Sequence, residues 1–162
     1  MQAKYPQKPL LSEITDHQQL PAQAVELAGI YNKLNYGELL LFLKMGETLV
    51  IVDASGPDIN GDKHYILGQF EAPLGFLPWF ADALNDFQKP PAEGGLHAGA
   101  MSSADQEVEG EMLCIQRAMD AGNHQGGYAV LNRSRPDRFR LDRNSYGASE
   151  IIFANNFLAC WR

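Results

Sequence analysis

The sequence lacks several features that would assign it to a familiar class. Its longest apolar run covers only residues 39–43, far too short to cross a membrane, and its N-terminus has no apolar stretch typical of a secretory signal. We therefore expect a cytoplasmic protein with no membrane contact. Cysteine occurs only at Cys114 and Cys160, each within an apolar pattern, which favours two buried free thiols over a disulfide framework.

Positive charge is scarce and unevenly distributed. Residues 1–111 contain 16 acidic residues against six lysines, a net charge of −10, whereas residues 112–162 contain four acidic residues against seven arginines, a net charge of +3. A general nucleic-acid binder needs a basic face for its phosphate contacts, so the acidic balance makes nucleic acid an unlikely partner. It favours a basic or apolar protein partner.

Catalytic and metal-binding signatures are also missing. The four histidines share no metal-ligand spacing with each other or with the cysteines. The acidic loop at residues 58–62 resembles a calcium loop, but Gly56 and Leu67 stand where such a loop needs oxygen ligands. The glycine-rich stretch at residues 94–99 lacks the Lys-Ser/Thr of a phosphate loop. We expect no cofactor and no metal, and a loop histidine, His97 or His124, is the one enzymatic alternative.

The first half of the chain predicts one helix followed by three strands and a second helix. Residues 1–19 are expected to form a flexible arm, and residues 20–162 a single α+β domain. Apolar residues at helical spacing predict a helix over 24–34, and two apolar runs separated by a glycine turn predict a hairpin over 38–44 and 47–53. A third strand is expected at 64–70, a helix at 77–88, and a glycine- and proline-rich insertion at 89–103.

The second half predicts another helix, a hairpin and a closing element. Ser103 and Gln106 fit a capping box, and the helix that would follow carries Val108, Met112, Ile115 and Met119 on one face. Strands are expected at 127–133 and 138–142, joined by a turn. Residues 149–162 fit either a helix or a hairpin, and we favour the helix. The predicted fold is α+β, an antiparallel sheet with helices packed on it in the order α-βββ-α-α-ββ-α.

Arginines crowd the region of this predicted second hairpin. Such a cluster, with aromatic residues nearby, can bind phosphates or pair with acidic groups of the same chain or of a partner. The acidity of the rest of the chain favours the second interpretation. The candidate contacts are Arg133, Arg135, Arg138 and Arg140.

This order of elements resembles the type III secretion chaperones of the single-effector class, the Tir-chaperone-like family. The stretches similar in character are the predicted first helix and hairpin, residues 66–78, residues 116–122 with 126–131, and residues 157–162. The resemblance implies a non-catalytic homodimer that binds a partly unfolded segment of a secreted protein. It also implies a dimer interface at Val108, Met112, Ile115 and Met119, and a partner surface at Leu27, Tyr31, Leu39, Leu41, Val50 and Val52.

Two other functions remain open from the sequence. The acidic surface would suit an immunity or anti-toxin protein that blocks the active site of a folded basic partner. A small enzyme that uses a loop histidine is the third.

Overall fold

The computed structural model describes residues 5–32, 38–55, 58–59, 62–63, 66–121, 125–136 and 148–155. The chain forms two compact units, which we call unit A and unit B. Unit A is Leu11–Leu74, and unit B comprises Met1–Leu10 together with Gly75–Arg162.

Unit A is a four-stranded antiparallel sheet. Its strands are β1 (Val25–Asn32), β2 (Glu38–Met45), β3 (Thr48–Ser55) and β6 (Ile66–Pro73), hydrogen-bonded in the order β1-β2-β3-β6. Two short strands, β4 (Asp58–Ile59) and β5 (Asp62–Lys63), lie between β3 and β6 along the chain and pair with each other. The turn of the β2–β3 hairpin uses Gly46 at a positive φ of 63°, which glycine adopts at little cost.

The central strands of unit A are apolar on both faces. Side chains of residues 40–43 in β2 and 49–52 in β3 alternate between the faces, and all of them are buried, so these stretches are continuous apolar runs in the sequence. On one face, the N-terminal segment contributes Ile14 to a cluster with Leu41, Leu43, Val50 and Val52. On the other face, the buried residues are Leu40, Phe42, Leu49, Ile51, Phe70 and Ala72.

Unit B combines one helix with a second antiparallel sheet. The helix α1 (Phe76–Gln88) is followed by a short 3-10 turn, η1 (Pro91–Glu93). The strands are β7 (Gln106–Val108), β8 (Glu111–Ala118), β9 (Gly127–Pro136) and β10 (Ala148–Ala154), in the order β10-β9-β8-β7. The helix packs on one face of this sheet, as Phe80 shows by contacting the Phe153 ring with the centroids 5.1 Å apart.

The structure contradicts the predicted α+β order. The described residues are mostly β, with two four-stranded sheets and one α-helix, whereas the predicted order has four helices. The segment predicted as the first helix is β1, and the segment predicted to follow the capping box at Ser103 forms the β7–β8 hairpin. Ser149–Ala154, for which a helix was favoured, lies in β10. The end of that segment, from residue 156, lies outside the described residues.

A tight turn explains why the segment after Ser103 forms the β7–β8 hairpin and not the predicted helix. Glu109 and Gly110 connect β7 to β8, both at positive φ (49° and 86°), the pattern of a two-residue hairpin turn. Ser103 does not cap a helix. Its N–H donates to the carbonyl oxygen of Ile115 at 2.9 Å, and its Oγ accepts from the N–H of Ile115 at 3.0 Å.

Several local predictions are confirmed. The hairpin at 38–53 is β2–β3, the third strand is β6, and the helix at 77–88 is α1. The strand at 127–133 is β9, but it continues to Pro136 through part of the predicted turn. The predicted strand at 138–142 lies outside the described residues.

Candidate functional site

Among the described elements of unit A, β1 carries the most exposed large apolar side chains. It ends the sheet order, and among the described strands it pairs only with β2. Val25, Leu27 and Tyr31 are 56%, 46% and 51% exposed. An edge strand with apolar side chains in solvent offers main-chain groups and contact area to another extended chain.

A β-bulge shapes this edge. The register with β2 shifts between Glu26 and Ala28, so that Leu27 is the extra residue. Because of the bulge, the apolar side chains of β1 do not follow simple alternation. The carboxylate of exposed Glu26 lies beside Gly29, where an added Cβ would be 3.3 Å from Oε1.

The segment that covers the sheet of unit A bonds to the opposite edge strand, β6. The N–H of Leu11 donates to Glu71 Oε1 at 2.7 Å, and the N–H of Ile14 donates to Gln69 Oε1 at 2.8 Å. Gln69 Nε2 also donates to Glu71 Oε2 at 3.2 Å, so the buried Glu71 carboxylate is hydrogen-bonded on both oxygens. The N-terminal segment therefore covers apolar side chains on the β6 side of the sheet, whereas Val25, Leu27 and Tyr31 on β1 are exposed.

The structure separates the six residues predicted to bind a partner. Leu41, Val50 and Val52 are buried in the core of unit A, and Leu39 packs against that core. Only Leu27 and Tyr31 are exposed, and both lie on β1. Val25 and Glu26 were missed, since a helical interpretation of this segment gave them no role, although Val25 and Tyr31 are residue types typical of strands.

The four residues predicted as a dimer interface do not share a face. Without a helix, Val108 lies in β7, whereas Met112 and Ile115 lie in β8 with side chains on opposite faces. Ile115 is buried, and Met119, just after β8, is 83% exposed. As a dimer interface the set stays a prediction.

Arg133 takes part in a polar cluster within unit B. Its Nε donates to Asp105 Oδ1 at 2.9 Å, and the hydroxyl of Tyr5 donates to Asp105 Oδ2. Burial acts to raise the pKa of Asp105, but the hydrogen bonds from Tyr5 and Arg133 and the charge of Arg133 outweigh it and hold that pKa below its usual value. The hydrogen bond to Asp105 raises the pKa of Arg133.

Cys114 lies under this cluster, with its Sγ 3.5 Å from Arg133 Nη2. It is a buried free thiol, as the sequence predicted, and burial raises its pKa. A buried, protonated thiol is a poor nucleophile, so the arrangement is that of a structural cysteine. Cys160 lies outside the described residues.

Arg135 is buried in an ion pair with Glu111. Its Nε is 2.6 Å from Glu111 Oε1, and its Nη2 is 3.3 Å from Oε2. Asn132 Nδ2 also donates to Glu111 Oε1, at 3.1 Å. Pairing with an acidic group of the same chain is one of the outcomes that the sequence favours for these arginines. For Arg135 that group is the buried Glu111 carboxylate, so Arg135 is not a surface contact. Arg138 and Arg140 lie outside the described residues.

A second bulge positions this pair. The β9–β10 register shifts so that Ala148 pairs with Pro136 and Ser149 with Asn132, leaving residues 133–135 unpaired with β10. Both Ser134 and Arg135 are buried as a result. At this point a side chain takes the place of a main-chain hydrogen bond between strands, since the N–H of Met112 donates to Ser134 Oγ at 2.9 Å.

The other residues considered for catalysis or metal binding form no cluster in the part of the chain that the structure describes. His97 is exposed, with Nδ1 3.1 Å from the carbonyl oxygen of Ala98, and His124 lies outside the described residues. No group of three or more His, Cys, Asp or Glu residues in the described ranges could hold a metal ion. Nor is any described helix both long and apolar enough to cross a membrane.

Comparisons with known proteins add no assignment. No family model, curated protein or solved structure matches this chain. The resemblance to secretion chaperones depended on a first helix at 24–34 and a helix after Ser103, and both segments are strands.

Proposed function

We propose that the protein is a non-catalytic protein-binding module that takes an extended segment of a partner protein as an added strand along β1. The observation that carries the proposal is the exposure of Val25, Leu27 and Tyr31 on one edge strand. Strand addition supplies main-chain hydrogen bonds for affinity, and alternate side chains supply specificity. A partly unfolded partner, as expected from the sequence, fits this mode of binding.

The charge of unit A supports a basic partner segment. Unit A has nine acidic residues against three lysines, a net charge of −6, whereas the charge of the whole chain is −7. Glu26 puts one of these acids on β1 itself. The segment that complements this edge therefore alternates apolar residues with lysine or arginine.

The edge strand β10 of unit B is the natural comparison. There Ile152 is 41% exposed, but it is the only large apolar side chain of the strand that is exposed among the described residues. One exposed side chain offers much less contact area than the three of β1, so we place the binding edge on β1.

The test is a selection from displayed random peptides of about 12 residues, long enough to pair with the whole strand. We expect the selected peptides to alternate apolar and basic residues. Substituting Leu27→Lys and Tyr31→Lys together should weaken their binding at least about tenfold, roughly 1.4 kcal/mol, because two cations would face a basic peptide and apolar contact would be lost.

Two matched variants serve as controls. Ile152→Lys places the same charge on the edge of the other sheet, and Met119→Lys places it on an exposed apolar residue outside any strand. Neither should weaken binding. Peptides whose binding ignores the β1 substitutions, or depends on Ile152, would contradict the proposal, and so would a selection that yields no β1-dependent peptide.

The same variants distinguish other occupants of the edge. A wild-type dimer that becomes a monomer on Leu27→Lys and Tyr31→Lys would show that a second copy of the chain occupies β1. Tight binding of a folded basic protein that is indifferent to both substitutions would favour the inhibitor alternative.

A further inference from the structure

We propose that the bulged end of β9 is a second binding site, for an extended lysine-containing segment of a partner protein, and that residues 5–9 occupy it in the free chain as a displaceable strap. We call residues 5–9 the strap. The inference concerns unit B alone and does not depend on strand addition at β1.

The strap is bound the way a peptide ligand is bound. The N–H of Lys8 donates to the carbonyl oxygen of Ser134 at 2.8 Å, and Arg135 Nη1 donates to the carbonyl oxygen of Pro9 at 3.4 Å. The side-chain amide of Gln7 donates to the carbonyl oxygen of Arg133 at 2.9 Å. Two of these bonds use the strap's main chain, so another extended segment could make them as well.

One contact gives the site its chemical preference. The Lys8 ammonium lies 3.8 Å from Glu111 Oε2, and the Glu111 side chain is 2% exposed whereas that of Lys8 is 45% exposed. A buried carboxylate at the base of the site, met by a cation from its solvent side, favours lysine or arginine at this position.

Most of the strap is exposed. Tyr5 is half-buried and its hydroxyl donates to Asp105, whereas Pro6, Gln7, Lys8 and Pro9 are exposed, so these four residues bury little apolar area. Its two prolines favour the extended conformation and lack N–H groups that would need new partners after release. Detachment leaves Glu111 still bonded to Arg135 and Asn132, so the site remains formed when it is open.

The experiment uses full-length protein and a labelled synthetic peptide with the sequence of residues 1–10. In the wild-type chain the tethered strap competes at a high effective concentration, so the peptide should bind weakly. The full-length variant with Tyr5→Ala and Lys8→Ala, both in the strap, should bind the peptide at least about tenfold more tightly. If that variant does not fold, Lys8→Ala alone carries the same comparison.

Peptide variants test the chemistry. Lys8→Glu in the peptide should abolish binding to the double variant, whereas Lys4→Glu, the same charge change four residues away, should leave most of it. Equal affinity of the wild-type and strap-weakened chains would overturn the displaceable strap. Equal losses from the two peptide variants would overturn the lysine site, since only overall charge would then matter. A concentration-dependent dimer of the wild-type chain that Lys8→Glu abolishes would replace the partner protein with a second copy as the occupant.

Discussion

The two sheets differ in how they hold their buried groups, although each buries a carboxylate. Glu71 in unit A accepts hydrogen bonds from the N–H of Leu11 and from Gln69, whereas Glu111 in unit B is paired with Arg135. In unit A, the central strands β2 and β3 carry apolar side chains on both faces, and the sheet ends in the exposed strand β1. In unit B, one end of the β8–β9 pair buries an ion pair, Glu111–Arg135, together with Asn132 and Ser134. Apolar burial tolerates local adjustment, whereas a buried charge depends on its specific partner.

This difference predicts where the protein is most sensitive to substitution and what each unit offers to a partner. Unit A combines an apolar core with an edge strand whose large apolar side chains are exposed, and the proposed added strand would pair along that edge. In unit B the Glu111–Arg135 ion pair stabilises the bulge, and the Glu111 carboxylate also forms an ion pair with Lys8 of the strap.

The largest effect is expected from Glu111→Ala. It leaves Arg135 buried without its carboxylate, which costs about 3–5 kcal/mol in the free energy of unfolding. Urea unfolding followed by tryptophan fluorescence measures this cost, since Trp79 lies in α1 of unit B. The double replacement Glu111→Met with Arg135→Met removes both charges and should recover much of the loss. A single variant close to wild type would mean that the ion pair does not hold this end of the sheet.

Leu43→Ala is expected to have the next largest effect, in unit A. Leu43 is buried in the cluster with Ile14 and Val50, and its truncation should cost about 2–5 kcal/mol through lost burial and a residual cavity. Amide hydrogen exchange along β2 and β3 localises the loss. The matched change Leu27→Ala, on the exposed strand, should have a small effect. A comparable loss from Leu27→Ala would show that β1 is part of the core and would contradict the distinction between a buried core and an exposed edge.

The smallest effect is a pH dependence from Asp105. Because its pKa is lowered in the folded chain, it contributes stability above its unfolded pKa of about 4, and that contribution is lost as the pH falls through the folded value. The stability difference between wild type and Asp105→Asn should therefore be full at neutral pH and shrink in acid. Unfolding curves over a series of pH values measure it, and a difference that grows in acid would have the wrong sign.

Some elements were predictable because local signals sufficed. Gly46 between two apolar runs gave the β2–β3 hairpin, and Pro78 in a first turn indicated the helix that the structure shows as α1, with Phe76, Phe80 and Ala83 buried. Such elements are specified by turn chemistry and by a period that burial imposes.

Other elements could not be predicted because their apolar residues do not follow the alternation that burial of one sheet face imposes on a strand. On β1, solvent exposure and the bulge at Leu27 left apolar residues at a spacing that fits a helix by coincidence. The Glu109–Gly110 turn was the overlooked signal for the β7–β8 hairpin. The Glu111–Arg135 pair joins residues 24 positions apart through a bulge, and no sequence spacing specifies such a contact.

Amide hydrogen exchange with and without a selected basic peptide is the sharpest test of whether a partner adds a strand to β1. Strand addition forms main-chain hydrogen bonds along this edge, so we expect new protection concentrated in Val25–Asn32, with none gained in β10. Protection that appears on β10 instead, or binding that leaves the amides of β1 unchanged, would contradict it.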